Sequence, residues 1–383
     1  MKAEYTIGAI VSALVVVGLG YLFLSPQPVA PAQESVTASP TVAPSQENAA
    51  TSSTSVASKA QTAQAATPKR GNYVEIVNPS GFVNTDHIAL KDLVGKKVIV
   101  VDFLTYSCIN CQRTFPYMNA WYKKYKDEGL EIVGIHTPEF AFEKDITNVR
   151  EAMKRFGITY PIVLDNDYAT WNAYGNNYWP RKYIIDIHGN VVYDHIGEGG
   201  YEETEMKIQE LLAERAKVLS TDMPATGGLA ATSITEVKIA AASPETYFGS
   251  LRNVYLANGT AKTSGDQTLV LPQTFAANAL YLGGKWNILP EYAESTTDAT
   301  VVYKYNAKDV YIVAAADTPV VVEVLLDGKP VGGVAGADVS ANGTVTMQAS
   351  RLYTLVHNTE PGEHTLQLKV KGAGLRFYAF TFG

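Results

Sequence analysis

The sequence predicts an α/β domain followed by an all-β domain, both lying behind an apolar N-terminal segment, and three observations carry that reading. Lys97 to Thr105 (KVIVVDFLT) is a nearly continuous apolar run with a single acid, the pattern of a strand covered on both faces. Strand and helix signals then alternate as far as Val218. Past Ser243 the chain turns to short β-branched and aromatic runs separated by turn dipeptides. With 383 residues, 46% of them hydrophobic, it can bury more than one core. A formal charge of -7 and short basic clusters leave no footprint for nucleic acid, and two cysteines cannot scaffold a chain of this size.

The elements follow in order. Residues 1–24 contain the uncharged apolar run Tyr5 to Leu24, about long enough at 1.5 Å per residue to cross a hydrocarbon core of roughly 30 Å. It is expected to be a single transmembrane helix, a cleaved signal peptide being the alternative. Lys2 on its short side places the N-terminus in the cytoplasm and the rest of the chain outside. Residues 25–70 are mostly Pro, Ala, Ser, Thr, Gln and Val with no aromatic, Leu or Ile, too little apolar surface to offset the entropy of ordering, so a disordered tether is expected. As a coil it would span roughly 35 to 40 Å.

Residues 71–218 form the α/β unit. The strand at Lys97 to Thr105 leads into a helix from the Cys108 region to about Asp127. Glu131 to His136 reads as a strand, Lys144 to Phe156 as a helix and Ile162 to Asp165 as a short strand. Tyr183 to Ile187 and Val191 to Asp194 flank the hairpin signal His188-Gly189-Asn190, and Glu202 to Val218 is a charged amphipathic helix. Residues 219–242, rich in Ala, Thr, Ser and Gly, read as a linker. Residues 243–383 carry strand runs at Val301 to Tyr305, Val310 to Ala314, Val320 to Leu326, Thr344 to Gln348, Leu352 to His357, His364 to Val370 and Leu375 to Phe382. Turn signals at Asn258-Gly259, Asp327-Gly328, Asn342-Gly343 and Pro361-Gly362 complete the rhythm of an all-β sandwich of jelly-roll type.

The chemistry is expected at Cys108-Ile109-Asn110-Cys111, the only cysteines of the chain, where the central strand runs into a helix. Unpaired N–H groups and the macrodipole at a helix N-terminus favour an anion, so Cys108 is expected to be the attacking thiolate and Cys111, one turn on, the resolving thiol. Oxidised dithiols suit an extracytoplasmic location. Three other readings stand beside this one. A structural zinc site would need two further ligands from His or carboxylates. A structural disulfide at this spacing would gain little chain entropy. A peroxiredoxin would have Pro at position 101, which is Val.

Around the motif, Asp102 lies six residues before Cys108, Pro116 five after Cys111, and Trp179-Pro180 enters a strand. Longer strings follow: His136-Thr137-Pro138-Glu139-Phe140, Tyr160-Pro161, Trp171-Asn172-Ala173-Tyr174, Tyr178-Trp179-Pro180, His195-Ile196-Gly197-Glu198-Gly199 and Ser243-Pro244-Glu245-Thr246-Tyr247. On these residues the chain resembles thioredoxin-fold domains of the TlpA type, and most closely the soluble thioredoxin-like region of DipZ-type proteins, from about Tyr73 to Gly383. The resemblance implies that Asp102 is a buried general base toward Cys111 and that Pro180 is cis and presents the backbone of Trp179 to an extended substrate. Trp179 and Tyr106 are an apolar rim or core, and Ile109 and Asn110 join them as substrate-binding candidates. Glu139, Glu198 and His136 are further candidates to reach the site, the other reading of each being an ordinary loop or structural residue. Asn110 stands where many TlpA-like motifs have Pro, which leaves the direction of electron flow open.

The function so expected is a membrane-tethered extracytoplasmic thiol-disulfide oxidoreductase that reduces protein disulfides, with no cofactor beyond the redox-active Cys108-Cys111 pair and no metal. Electrons would come from a separate membrane protein, and cytochrome c maturation proteins are among the expected partners. The alternatives are a cell-envelope glycan- or protein-binding module and a dithiol copper-delivery protein. For glycan binding the candidates are Trp286, Tyr281, Tyr292, Tyr303, Tyr305, Tyr353, Phe377 and Tyr378, since sugar rings stack on exposed aromatics.

Overall fold

The computed structural model describes residues 72–223 and 241–383, with 228–230, 234 and 236 between them. The expected membrane helix, the tether and most of the 219–242 linker lie outside the described residues. Among the described residues no helix is long and apolar enough to cross a membrane.

The N-terminal half of this region is a six-stranded mixed sheet between helices. Its elements are β1 (Gly81–Val83), β2 (Val98–Leu104), α1 (Ile109–Tyr125), β3 (Leu130–His136), α2 (Ile146–Arg155), β4 (Ile162–Leu164), α3 (Ala169–Ala173), β5 (Arg181–Ile185), β6 (Val191–Ile196) and α4 (Tyr201–Leu219). The strand order is β1-β4-β3-β2-β5-β6, with β2, β3 and β4 parallel and the rest antiparallel. β2 is buried along its whole length, which is why it has to be apolar on both faces. Its alternation sorts the two cores. Val98, Val100 and Leu104 pack with α1, α2 and α4, whereas Ile99, Val101 and Phe103 pack on the opposite side with Trp171 of α3. Asp102 shares the parity of Val100 and Leu104, so its carboxyl is turned into the α1 side.

The C-terminal half is antiparallel throughout its strand ladders. It comprises β7 (Thr246–Tyr247), β8 (Gly265–Leu269), β9 (Leu280–Ile288), β10 (Ala293–Ala315), β11 (Val320–Leu326), β12 (Lys329–Pro330), β13 (Thr344–Met347), β14 (Arg351–Lys371) and β15 (Arg376–Phe382). Two runs expected as separate strands, Val301 to Tyr305 and Val310 to Ala314, are one continuous β10, and Leu352 to His357 and His364 to Val370 are one β14. The pair changes register between Ala307 and Asp309, where β14 advances from Gly362 to His357. The Pro361-Gly362 turn signal therefore marks a bulge in a long strand, which lets the ladder bend without ending.

The aromatics offered as a sugar platform are core instead. Trp286, Tyr303, Tyr305, Tyr353 and Phe377 are at most 1% exposed, and Tyr281 and Tyr378 are buried as well; only Tyr292 is half-buried. Rings packed inside a sheet cannot stack on a ligand from solvent.

The two halves meet through a core of their own. Ile109 and Phe140 pack with Val313, Ala315, Leu352, Tyr378 and Ala379. Tyr378 lies 5.0 Å from Phe140 and 4.8 Å from Phe142 between ring centroids. Polar ties surround this apolar patch: Tyr106 donates its hydroxyl to the Ser350 carbonyl at 3.0 Å, and the Ala141 N–H donates to Glu291 Oε2 at 2.9 Å.

Candidate active site

β2 delivers the chain to the site. It ends at Leu104, turns through Thr105 to Ser107, and α1 begins with Cys108 as its N-cap in extended backbone geometry. The Gln112 N–H donates to the Cys108 carbonyl at 3.0 Å, closing the first helical turn. This places the Cys108 side chain beside the free N–H groups of that turn. Cys108 is half-buried and Cys111, one turn later on the inward face, is fully buried; both are free thiols. Burial, a hydrogen bond with Cys108 and the charges of Cys108 and Asp102 push the Cys111 thiol well up. The pair is thus asymmetric, with one sulfur reachable from outside and one reluctant to ionise without help.

Asp102 is at hand for that help. It is fully buried, neither carboxyl oxygen has a hydrogen-bond partner, and desolvation lifts its pKa to about 7 against the pull of Lys182. A carboxyl that is half ionised near neutrality can take a proton and return it. Lys182, also fully buried, is paired in register with Asp102 across β2 and β5 and donates to the Gly197 carbonyl at 3.3 Å. Desolvation lowers its pKa while Asp102 and Cys111 oppose that fall. The buried Tyr160 hydroxyl feels both Asp102 and Cys111, which help push its pKa well up after burial itself. Gly134 faces Asp102 on β3; a Cβ there would come within 2.5 Å of Ile162 Cδ1 and 2.9 Å of Leu104 Cδ2, so a larger residue would displace those two side-chain ends.

The other candidates divide. Trp179-Pro180 is a cis peptide; Pro180 is buried and Trp179 half-buried, with its indole N–H donating to the Thr137 carbonyl at 3.0 Å and its ring 4.3 Å from that of Trp171. Asn110, Trp179 and Cys108 line one cleft together with Glu139. Tyr106 is not part of a substrate rim: it is 1% exposed, stacks on His136 and is tied to Ser350, so it is a core residue of the domain contact. Ile109 borders the cleft but is 8% exposed, most of its side chain being committed to the all-β domain. Glu198 forms an ion pair with Arg113 at 3.2 Å, and the buried His136, its pKa lowered to about 3 by desolvation, stays neutral.

Sequence reasoning missed Lys182 and Glu143. Glu143 is fully buried and accepts from the Ser107 hydroxyl at 2.6 Å and from the N–H groups of Glu139 and Phe140 at 2.6 and 3.0 Å. It thereby fixes the loop before Cys108 to the loop after β3, at the cost of a pKa raised to about 6 by burial. Its only sequence signal was its place at the start of a helical pattern. Among the described residues no group of three or more His, Cys, Asp or Glu side chains could hold a metal ion.

Comparison with known proteins agrees with this geometry. Residues 79–212 match the Redoxin family model and residues 243–383 the model described as "Thioredoxin like C-terminal domain". Protein DipZ of Mycobacterium tuberculosis is 37% identical over 319 residues, 82% of this chain and 43% of that protein. The chain therefore spans less than half the length of this relative. Thiol-disulfide oxidoreductase ResA of Bacillus thuringiensis is 35% identical over 134 residues, 34% of this chain and 74% of ResA. Thiol-disulfide oxidoreductase YkuV of Bacillus subtilis is 29% identical over 140 residues, 37% of this chain and 93% of YkuV.

Proposed function

Since the chain belongs to the thioredoxin-like thiol-disulfide oxidoreductases, we propose that it reduces protein disulfides through Cys108 and Cys111 on the outer side of a membrane to which residues 1–24 anchor it. The observation that carries the mechanism is the buried, unpartnered Asp102 on the Cys111 side of the sheet. Cys108, as thiolate, attacks one sulfur of a substrate disulfide; a mixed disulfide forms and the first substrate thiolate leaves. Asp102 accepts the Cys111 proton, Cys111 attacks Cys108 Sγ, and the second substrate thiol departs. Two electrons pass to the substrate and the protein is left with a Cys108-Cys111 disulfide. A separate membrane protein with a dithiol of its own then restores the reduced pair.

The extracytoplasmic location is supported by the apolar run from Tyr5 to Leu24 with Lys2 on its short side. The C-terminal domain is read as a jelly-roll sandwich, supported by the long strand β10, which pairs with β9 over Ala293 to Tyr303 and with β15 over Val310 to Ala315. Insulin reduction with the full chain tests the activity, and equilibration with glutathione tests the direction. A reductase has a potential below that of the glutathione pool, and a potential near that of strong oxidants would reverse the assignment.

A further inference from the structure

The reactive pair does not sit on an open face. Cys108 lies in a cleft of about 360 Å³ whose far wall is built by Glu245, Tyr247 and Arg252 of the all-β domain. Charges at that wall do not balance. Glu139 Oε1 accepts from Arg252 Nη1 at 2.7 Å and lies 2.9 Å from the Tyr247 hydroxyl, which is also 2.6 Å from Glu245 Oε2. A phenol has one proton and serves one carboxylate at a time. Arg252 is committed to Glu139 and lies 3.6 Å above the Tyr247 ring. Two carboxylates thus share one guanidinium and one phenolic proton. Glu245 itself is solvent-accessible; the crowding of the cleft and the charge of Glu139 raise its pKa, an effect that water screens.

We infer that the all-β domain sets the specificity of this cleft, and that the cleft selects disulfides carrying an ammonium or guanidinium group beside the reacting sulfur. The inference rests on the redox reading above. A cation placed between Cys108 and Glu245 supplies the second positive charge that the two carboxylates lack, whereas an anion there meets both of them. The half-buried Trp179 offers an apolar side to the connecting atoms. Chemistry is that of the first step: the Cys108–substrate S–S bond forms, the substrate S–S bond breaks, and the released thiolate takes a proton from water.

The test uses the reduced full chain and three small disulfides: cystamine (cationic), bis(2-hydroxyethyl) disulfide (neutral) and 3,3′-dithiodipropionate (anionic). Each rate is divided by that of a neutral model thiol, so that reagent reactivity cancels. Cystamine is expected to gain about fivefold over the neutral reagent, the factor that one unit charge pair at about 4 Å gives in a water-like dielectric. Glu245→Gln should lower that ratio toward one, and Arg252→Gln, which uncovers Glu139, should raise it. Opposite shifts in the two variants cannot come from a shared loss of folding. A wild-type ratio of one, or a ratio that neither variant moves, overturns the inference. Failure to outpace the model thiol with all three reagents overturns the redox reading and the inference with it.

Discussion

Replacing Asp102 by Asn is expected to stabilise the protein at neutral pH while slowing its chemistry. Burial raises the native carboxyl from 3.8 to about 7. At about 1.4 kcal/mol per pH unit, the native state favours the neutral acid by about 4 kcal/mol. The native protein therefore binds more protons than the unfolded chain between those two values, so stability falls as pH rises. The contribution is fully present below about pH 4 and gone above about pH 7. Asn is nearly isosteric and carries no such penalty. Between pH 5 and 8, wild type should lose about 3 kcal/mol relative to Asp102→Asn in urea unfolding, an upper value because a burial site relaxes around a charge. Resolution of a pre-formed mixed disulfide at Cys108, followed by quenched flow, should slow by about 10² to 10⁴, the range of a lost general base. Parallel stability curves together with unchanged resolution would refute the reasoning and leave Asp102 a structural residue.

Cys111→Ala should accumulate a covalent complex between Cys108 and a substrate cysteine, and Cys108→Ala should not; non-reducing gels and mass spectrometry of trapped material check this, and equal trapping by both would cancel the assigned roles. Lys182→Met removes the cation that lowers the Asp102 pKa, so the pH midpoint of resolution should move upward by on the order of one unit, and a midpoint that stays put would separate Lys182 from the site. Leu352→Ala opens a hole in the contact between the halves and should cost about 2 to 5 kcal/mol in urea unfolding, while a loss under half a kcal/mol would mean that the contact adds little.

The central strand, the thiol pair and the helix that starts at Cys108 were legible because each has a local signature: an apolar run, a two-residue gap between cysteines, and a strand-to-helix change. Asp102 was legible for the same reason, as an acid where no acid belongs. Lys182 was not. A lysine near a strand end looks like a solvated boundary, and only the pairing of β5 with β2 turns it inward beneath the thiols. The long strands β10 and β14 each read as two because Asn306-Ala307-Lys308 is a mostly polar interruption and Asn358 to Gly362 is a polar stretch with Pro and Gly; in the sheet they are a bend in continuous ladders. Tyr106 reads equally as rim or core from sequence, since the Ser350 carbonyl that ties its hydroxyl lies 244 residues away. The cleft wall at Glu245, Tyr247 and Arg252 was invisible for the same reason: it exists only once the second half is placed against the first.

That contact also binds the inheritance of the two halves. Phe140 fits against Tyr378, the Tyr106 hydroxyl against the Ser350 carbonyl, and Arg252 against Glu139. A larger or smaller ring at one side leaves overlap or a hole that only a change at the other side repairs. Drift at this seam should therefore appear as coupled replacements at positions 140 and 378 or 139 and 252, so that grafting either half onto a foreign counterpart means carrying over its matching seam residues too.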